Sequence, residues 1–164
     1  MAPSSSVRMI EGTPAAPGLR IAVIVSRYHD FVTDRLQSGA LAGLAALGVA
    51  DANITVVRVP GAFEIPLAAQ HAAASGRFDA VACLGCLIRG ETPHFEYISA
   101  AVAHGLTSVA GATGVPMAFG VLTTNTAEEA LARAGDGPGN KGREAALAAI
   151  DMARLYERIP GPRS

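Results

Sequence analysis

The sequence predicts an α/β protein, a three-layer α/β/α sandwich around a four-stranded parallel sheet. Two observations carry that reading. Four short apolar runs recur along the chain, each followed by a segment with helical hydrophobic spacing. Strands alternating with helices of this length pair in parallel through right-handed crossovers. The glycines, aromatics and charges that break the apolar pattern also cluster just after those runs. Open parallel sheets bind their ligands at that carboxyl rim.

The elements follow in order. Residues Met1 to Gly18, rich in Pro, Ser, Ala and Gly, read as a flexible lead-in rather than a secretory signal, since no charged segment precedes an apolar one. Within it "VRMIEG" has the character of an edge strand for a partner that offers one. "RIAVIVS" (Arg20 to Ser26) is a continuous apolar, β-branched run, the mark of a strand buried on both faces. Val32, Leu36, Ala40, Leu44 and Leu47 then recur at helical spacing until Gly48. "ITVVRV" (Ile54 to Val59) is the second strand, and "FEIPLAAQHAAAS" the helix that ends at Gly76. "AVACLG" (Ala80 to Gly85) is the third strand, followed by the long helix "HFEYISAAVAHGLTSVA". "PMAFGVLTT" (Pro116 to Thr124) is the fourth, and the helices "TAEEALARA" and "GREAALAAIDMARLYERI" close the chain. One domain is expected over residues 19–158, with a short tail at 159–164 and no internal repeat.

Composition narrows the function classes. The formal net charge is −1 and no basic cluster occurs, which argues against nucleic acid as a partner. No apolar run approaches the roughly 20 residues that cross a bilayer. Two cysteines make no disulfide framework and fit a reduced, cytoplasmic setting. Charged residues amount to 16%, against about 25% in an average domain. That shortfall points to surface buried between copies of the chain.

The strand ends carry the chemistry. Arg89-Gly90-Glu91-Thr92-Pro93-His94 leads into the third helix. A helix start offers unpaired N–H groups and a partial positive charge, both suited to phosphate. Thr92 adds a hydroxyl, and Pro93 fits the first turn, where no donor is lost. His94 in that turn is expected to stay neutral and to move protons in both directions. Two readings stand at this point: a proton-transfer histidine, or a capping loop with an exposed one. His71 and His104 fall mid-helix and read as solvent-facing or packed; His29 reads as a rim residue supporting a site. Tyr28 and Phe31 follow the first strand, and Tyr28 suits stacking on a planar ring. "VPGAFEIP" offers free backbone amides and the Glu64 carboxylate for a heterocycle edge and hydroxyls.

Two short patterns are set aside. "CLGC" places Cys83 inside an apolar strand with no second ligand pair, so it reads as neither a zinc nor a redox motif. "GDGPGNKG" follows a helix and lacks the residues a phosphate-binding P-loop needs around Lys141. Arg133 and Lys141 flank it and suit phosphate binding, though such residues are more often solvated.

Taken together, "SRYHDF", "VPGAFEIP", "LGCLIRGETPHFEYI", "GVPMAFGVLTTNT" and "RAGDGPGNKG" resemble the lumazine synthase family over Arg20 to about Arg154. The resemblance implies a flavodoxin-like sheet, to which each subunit's N-terminal segment adds a strand on its neighbour. It also implies a pentamer, or a sixty-subunit shell of twelve pentamers, with active sites between adjacent subunits. The implied reaction joins 5-amino-6-ribitylamino-uracil to 3,4-dihydroxy-2-butanone 4-phosphate, giving 6,7-dimethyl-8-ribityllumazine, water and phosphate, with no cofactor or metal. Riboflavin synthase is the implied onward partner. By the same resemblance Tyr28 stacks on the pyrimidine; Ala62, Phe63 and Glu64 hold the ring and ribityl chain; and the backbone of Cys86, Leu87 and Ile88 lines the ring. Glu91 and Thr92 bind phosphate, and His94 transfers protons. Phe119, Arg133 and Lys141 come from the neighbouring subunit, the two cations serving the phosphate. The Glu91 carboxylate must then point away from the dianion or be neutralised by Arg89 or Arg133. Rival readings are a non-catalytic riboflavin or lumazine binder of the same fold, a phospho-accepting receiver domain and a structural cage. A receiver would need clustered acids after the first strand, where only Asp30 stands. The binder would need neither His94 nor Arg133.

Overall fold

A computed structural model describes residues 6–162. The start of the expected lead-in (1–5) and the end of the expected tail (163–164) lie outside the described residues. Four strands, β1 (Ile21–Ser26), β2 (Ile54–Val59), β3 (Ala80–Ile88) and β4 (Met117–Thr124), form one parallel sheet in the order β2-β1-β3-β4. The helices are α1 (Asp30–Ala46), α2 (Ile65–Ala74), α3 (His94–Thr113), α4 (Ala127–Ala132) and α5 (Lys141–Arg158). The four-stranded parallel α/β architecture is the one expected.

β1 is fully buried, and its side chains split by the period of two. Ile21, Val23 and Val25 join a core with Leu36 and Leu44 of α1 and Ile150 of α5. Ala22 and Ile24 face Ile65 of α2 and Val102 and Leu106 of α3. Two apolar layers thus sandwich the sheet, which is why the strands read as unbroken hydrophobic runs. At the amino end of the central pair, Asp79 accepts from the Arg20 amide at 2.7 Å, and its own amide donates to Arg20 O at 2.8 Å. This reciprocal clamp sets the β1–β3 register.

β3 departs from expectation by running past Gly85 to Ile88, so Cys86, Leu87 and Ile88 pair with Leu122, Thr123 and Thr124 rather than forming a loop. Gly85 is needed there for room, not for a turn: a Cβ would sit 3.1 Å from Ile65 and 3.4 Å from Val121. Cys83 and Cys86 are both buried on opposite faces of β3, which agrees with reading "CLGC" as no redox pair.

α1 and α5 cross in close contact because small residues meet there. A Cβ on Gly142 would collide with the backbone of Leu36, and one on Gly39 with the Asn140 side chain. Asn140 is buried. It caps α5 by accepting from the Arg143 amide (3.0 Å) and donates to Arg35 O (3.1 Å) and Gly135 O (3.0 Å). Through Asn140, the α4–α5 loop "GDGPGNKG" is therefore stapled to α1. Upstream, the chain is strapped to α5. Arg158 donates to Glu11 O (2.6 Å), and Arg154 to Ala15 O and Pro17 O (both 2.7 Å). No helix among the described residues is long and apolar enough to cross a membrane.

Gly142→Ala must displace backbone and is expected to destabilise by about 1–3 kcal/mol. Gly111→Ala, in α3 with open space at its Cβ position, should instead stabilise by about 0.5–1 kcal/mol. Urea denaturation midpoints of the two variants check the pair.

Candidate active site

The carboxyl ends of β1, β2 and β3 converge on a cavity of about 450 Å³. β1 gives way to Tyr28 and His29. His29 precedes α1 in a left-handed conformation (φ 58°, ψ 49°), the one positive φ outside glycine among the described residues. Histidine tolerates this better than most side chains, and the turn sends Tyr28 outward, 65% exposed over the cavity. The His29 ring braces it edge-on, 4.5 Å between centroids, and meets Phe31 at 5.8 Å. Burial pushes the His29 pKa down. His29 was read as a supporting residue of the rim, and it lines the cavity itself.

From β2 the chain passes through a tight turn over Ala62–Glu64, closed by Glu64 N–H donating to Gly61 O at 3.2 Å. Ala62 is buried, whereas Phe63 stands 60% exposed and Glu64 is open to solvent at the cavity.

β3 supplies the wall. Its pairing with β1 stops at Leu84, while its pairing with β4 continues to Ile88. Arg89 N–H donates to Thr124 O at 2.8 Å. By strand alternation Leu87 also faces β4, so Cys86 and Ile88 turn their N–H and C=O groups to the other side, where β1 has ended. That edge borders the cavity and can read the rim of a flat heterocycle. The Cys86 thiol is pushed up to about 11 and that of Cys83 to about 12 by burial. Neither is a nucleophile near neutral pH.

The fourth side is the turn into α3. Thr92, His94 and Phe95 line the cavity, with Ile98 one helical turn further on. Pro93 occupies the N-cap position rather than the first turn, and His94 is the first helical residue. Among the described residues the amides of Glu91, Thr92, His94 and Phe95 take no hydrogen-bond partner. The result is a row of free donors at a helix start, beside an exposed imidazole. The Glu91 side chain is exposed and does not line the cavity. Arg89 does not neutralise it: that guanidinium is paired with Glu96. Within the same chain Arg133 stands apart, in the groove along β4, donating to Glu129 O at 2.9 Å.

Phe119, Arg133 and Lys141 stand elsewhere. They share a groove of about 400 Å³ along β4, together with Glu144, and it has no residue in common with the first cavity. Phe119 is 50% exposed, and Lys141 pairs with Glu144 at 2.8 Å. A single chain therefore presents the expected residues in two separate places. No group of three or more His, Cys, Asp or Glu that could hold a metal occurs among the described residues. Phe95 and Ile98 were missed in the sequence, although their spacing from His94 along α3 was a usable signal.

Comparison with known proteins shows the family. The family model for 6,7-dimethyl-8-ribityllumazine synthase matches residues 18–157. A protein of Desulfatibacillum aliphaticivorans with that name is 52% identical over 152 residues, covering 93% of this chain and 98% of the relative.

The depressed pKa of His29 has a consequence for stability. The unfolded chain binds a proton near 6.5 that the folded state binds only at lower pH. Stability tied to His29 is thus complete above that value and is lost as pH falls from it through the lower folded-state pKa. His29→Asn, which keeps a residue suited to the left-handed turn, should flatten this acid-side decline in denaturation midpoint.

Proposed function

Because the chain belongs to the 6,7-dimethyl-8-ribityllumazine synthase family, it is a transferase of riboflavin biosynthesis, and we propose that its two half-sites combine between neighbouring copies to form each active centre. In this reading the pyrimidine of 5-amino-6-ribitylamino-uracil lies in the cavity. Tyr28 stacks on one face, and the open edge of Cys86–Ile88 meets the ring's polar rim. Ala62 and Phe63 flank the ribityl chain, whose hydroxyls donate to Glu64. The phosphate of 3,4-dihydroxy-2-butanone 4-phosphate sits at the amides of Glu91 and Thr92. Phe119, Arg133 and Lys141 close the site from the next subunit, the cations over the phosphate.

The chemistry suits those placements. The pyrimidine 5-amine attacks the ketone to give a carbinolamine, and loss of water gives an imine. A proton leaves the adjacent carbon, and the electron pair expels phosphate. The resulting enol takes a proton on its terminal carbon to become a ketone, the ribitylamino nitrogen attacks that carbonyl to close the second ring, and a further water departs. Each step moves a proton near neutral pH, the role of His94. Holding two reactants together supplies much of the acceleration. Fixed donors and cations stabilise the departing phosphate.

The observation that carries the reading is the convergence of three strand ends on one cavity with an unpaired strand edge on one wall and free amides on another. Assembly into a pentamer, alone or in a sixty-subunit shell, is supported by the separation of the half-sites and by the low charge content. The exposed Phe63 and Tyr97 and the outer edge of β2 are surfaces such an assembly would cover. A cytoplasmic setting and transfer of product to riboflavin synthase complete the proposal.

Turnover is tested by mixing the two substrates and following lumazine formation above the uncatalysed rate. His94→Ala should slow it by about a hundredfold or more without abolishing it, leaving catalysis by positioning. Arg133→Ala should chiefly raise the KM for the ketose phosphate. Co-assembly of Arg133→Ala with the cavity variant Phe63→Ala should restore sites built from two intact halves. No recovery on mixing would sink the shared site, and a wild-type rate equal to background would sink the activity.

A further inference from the structure

We propose that Arg89 is a positioning residue that shapes the turn into α3 and so sets the grip on the phosphate-bearing substrate. The inference rests on the reading above that this turn takes the phosphate. Arg89 follows β3 directly, anchored by its amide on Thr124 O. Its guanidinium is engaged on three sides. Nε donates to Asn125 Oδ1 at 3.1 Å, Nη1 pairs with Glu96, and Cζ lies 4.6 Å from the centre of the Phe95 ring. Phe95 and Glu96 belong to the first turn of α3, immediately after His94. Asn125 is itself held, its amide donating to Glu129 Oε2 at 2.8 Å. One side chain thus ties the ends of β3 and β4 to the start of α3.

The turn needs such a tie. Gly90, Glu91 and Thr92 make no backbone hydrogen bond among the described residues. Their shape is fixed by what holds the two ends, and Arg89 holds both. The pairing also keeps the Glu96 carboxylate engaged. Left free in the first turn, that anion would oppose a phosphate at the same helix start. Both partners of the pair are about half exposed, and exposed ion pairs contribute little to folding. Removing Arg89 should therefore alter geometry while leaving the fold in place.

Arg89→Ala, Arg89→Lys and Glu96→Gln are compared with wild type as intact assemblies. Each substrate is varied separately, inorganic phosphate serves as competitive inhibitor, and Tm is recorded. In Arg89→Ala the KM for the ketose phosphate and the inhibition constant for phosphate should rise together by about tenfold. The KM for the pyrimidine and Tm should hold. Arg89→Lys should resemble Arg89→Ala, because a point charge reproduces neither the fork nor the stacking. Glu96→Gln should give a smaller shift of the same kind. Recovery in Arg89→Lys would overturn the inference in favour of a charge acting on the phosphate itself. A parallel rise of both KM values with a lower Tm would reduce Arg89 to a structural residue, and no shift would remove its role. If wild type forms no lumazine, the functional reading fails. Direct calorimetric titration with inorganic phosphate still judges Arg89: weaker binding in Arg89→Ala supports the inference, and equal or absent binding overturns it.

Discussion

A parallel strand between two neighbours satisfies its N–H and C=O groups on both sides, and β3 does so only as far as its partnership with β1 extends. Beyond Leu84 it keeps β4 on one side and has no strand on the other. This difference in strand length underlies the cavity. It opens a space at the centre of the rim and leaves backbone donors and acceptors along one wall. It also places the turn into α3 opposite the turns that follow β1 and β2. Backbone groups are well suited to this task, because a ladder on one side holds the other side rigid, and rigid donors need no reorganisation when charge develops.

The rest of the molecule keeps that edge in place. Two apolar layers clamp the sheet, the Arg20–Asp79 pair fixes the amino ends, and the α1–α5 crossing locks one face through glycines and Asn140. Burial is nearly complete at the middle of the sheet and falls away at the rim, where Tyr28, Phe63 and His94 stand open. A stiff centre with exposed functional groups at its margin is the usual division of labour in such folds.

Much of the fold was legible because its signals are local. Unbroken runs such as "RIAVIVS" and helices with regular apolar spacing report burial within a few residues. Strand ends were less legible. Gly85 resembles a terminator in sequence, yet in space it admits Ile65 and Val121. The contacts of Asn140 and Arg89 were also hidden, since their partners are distant in the chain: Asn140 reaches Arg35 and Arg89 reaches Asn125. That Phe119, Arg133 and Lys141 stand apart from the cavity could not be read locally, because no local pattern tells which face of β4 Phe119 will present. His29 was undervalued because a left-handed backbone at a non-glycine residue leaves no signature in composition.

The strap that Arg154 and Arg158 lay across the chain before β1 bears on what that segment can reach. Three carbonyls between Glu11 and Pro17 are held on α5, so residues 7–10 leave the surface from a fixed point and in a fixed direction. A segment tethered in this way explores a small volume, and its effective concentration at an adjacent sheet edge is correspondingly high. The ordering entropy that a free tail would lose on docking has largely been lost already, within the folded subunit. Two arginines on the last helix thereby fix where the chain before β1 begins its free course.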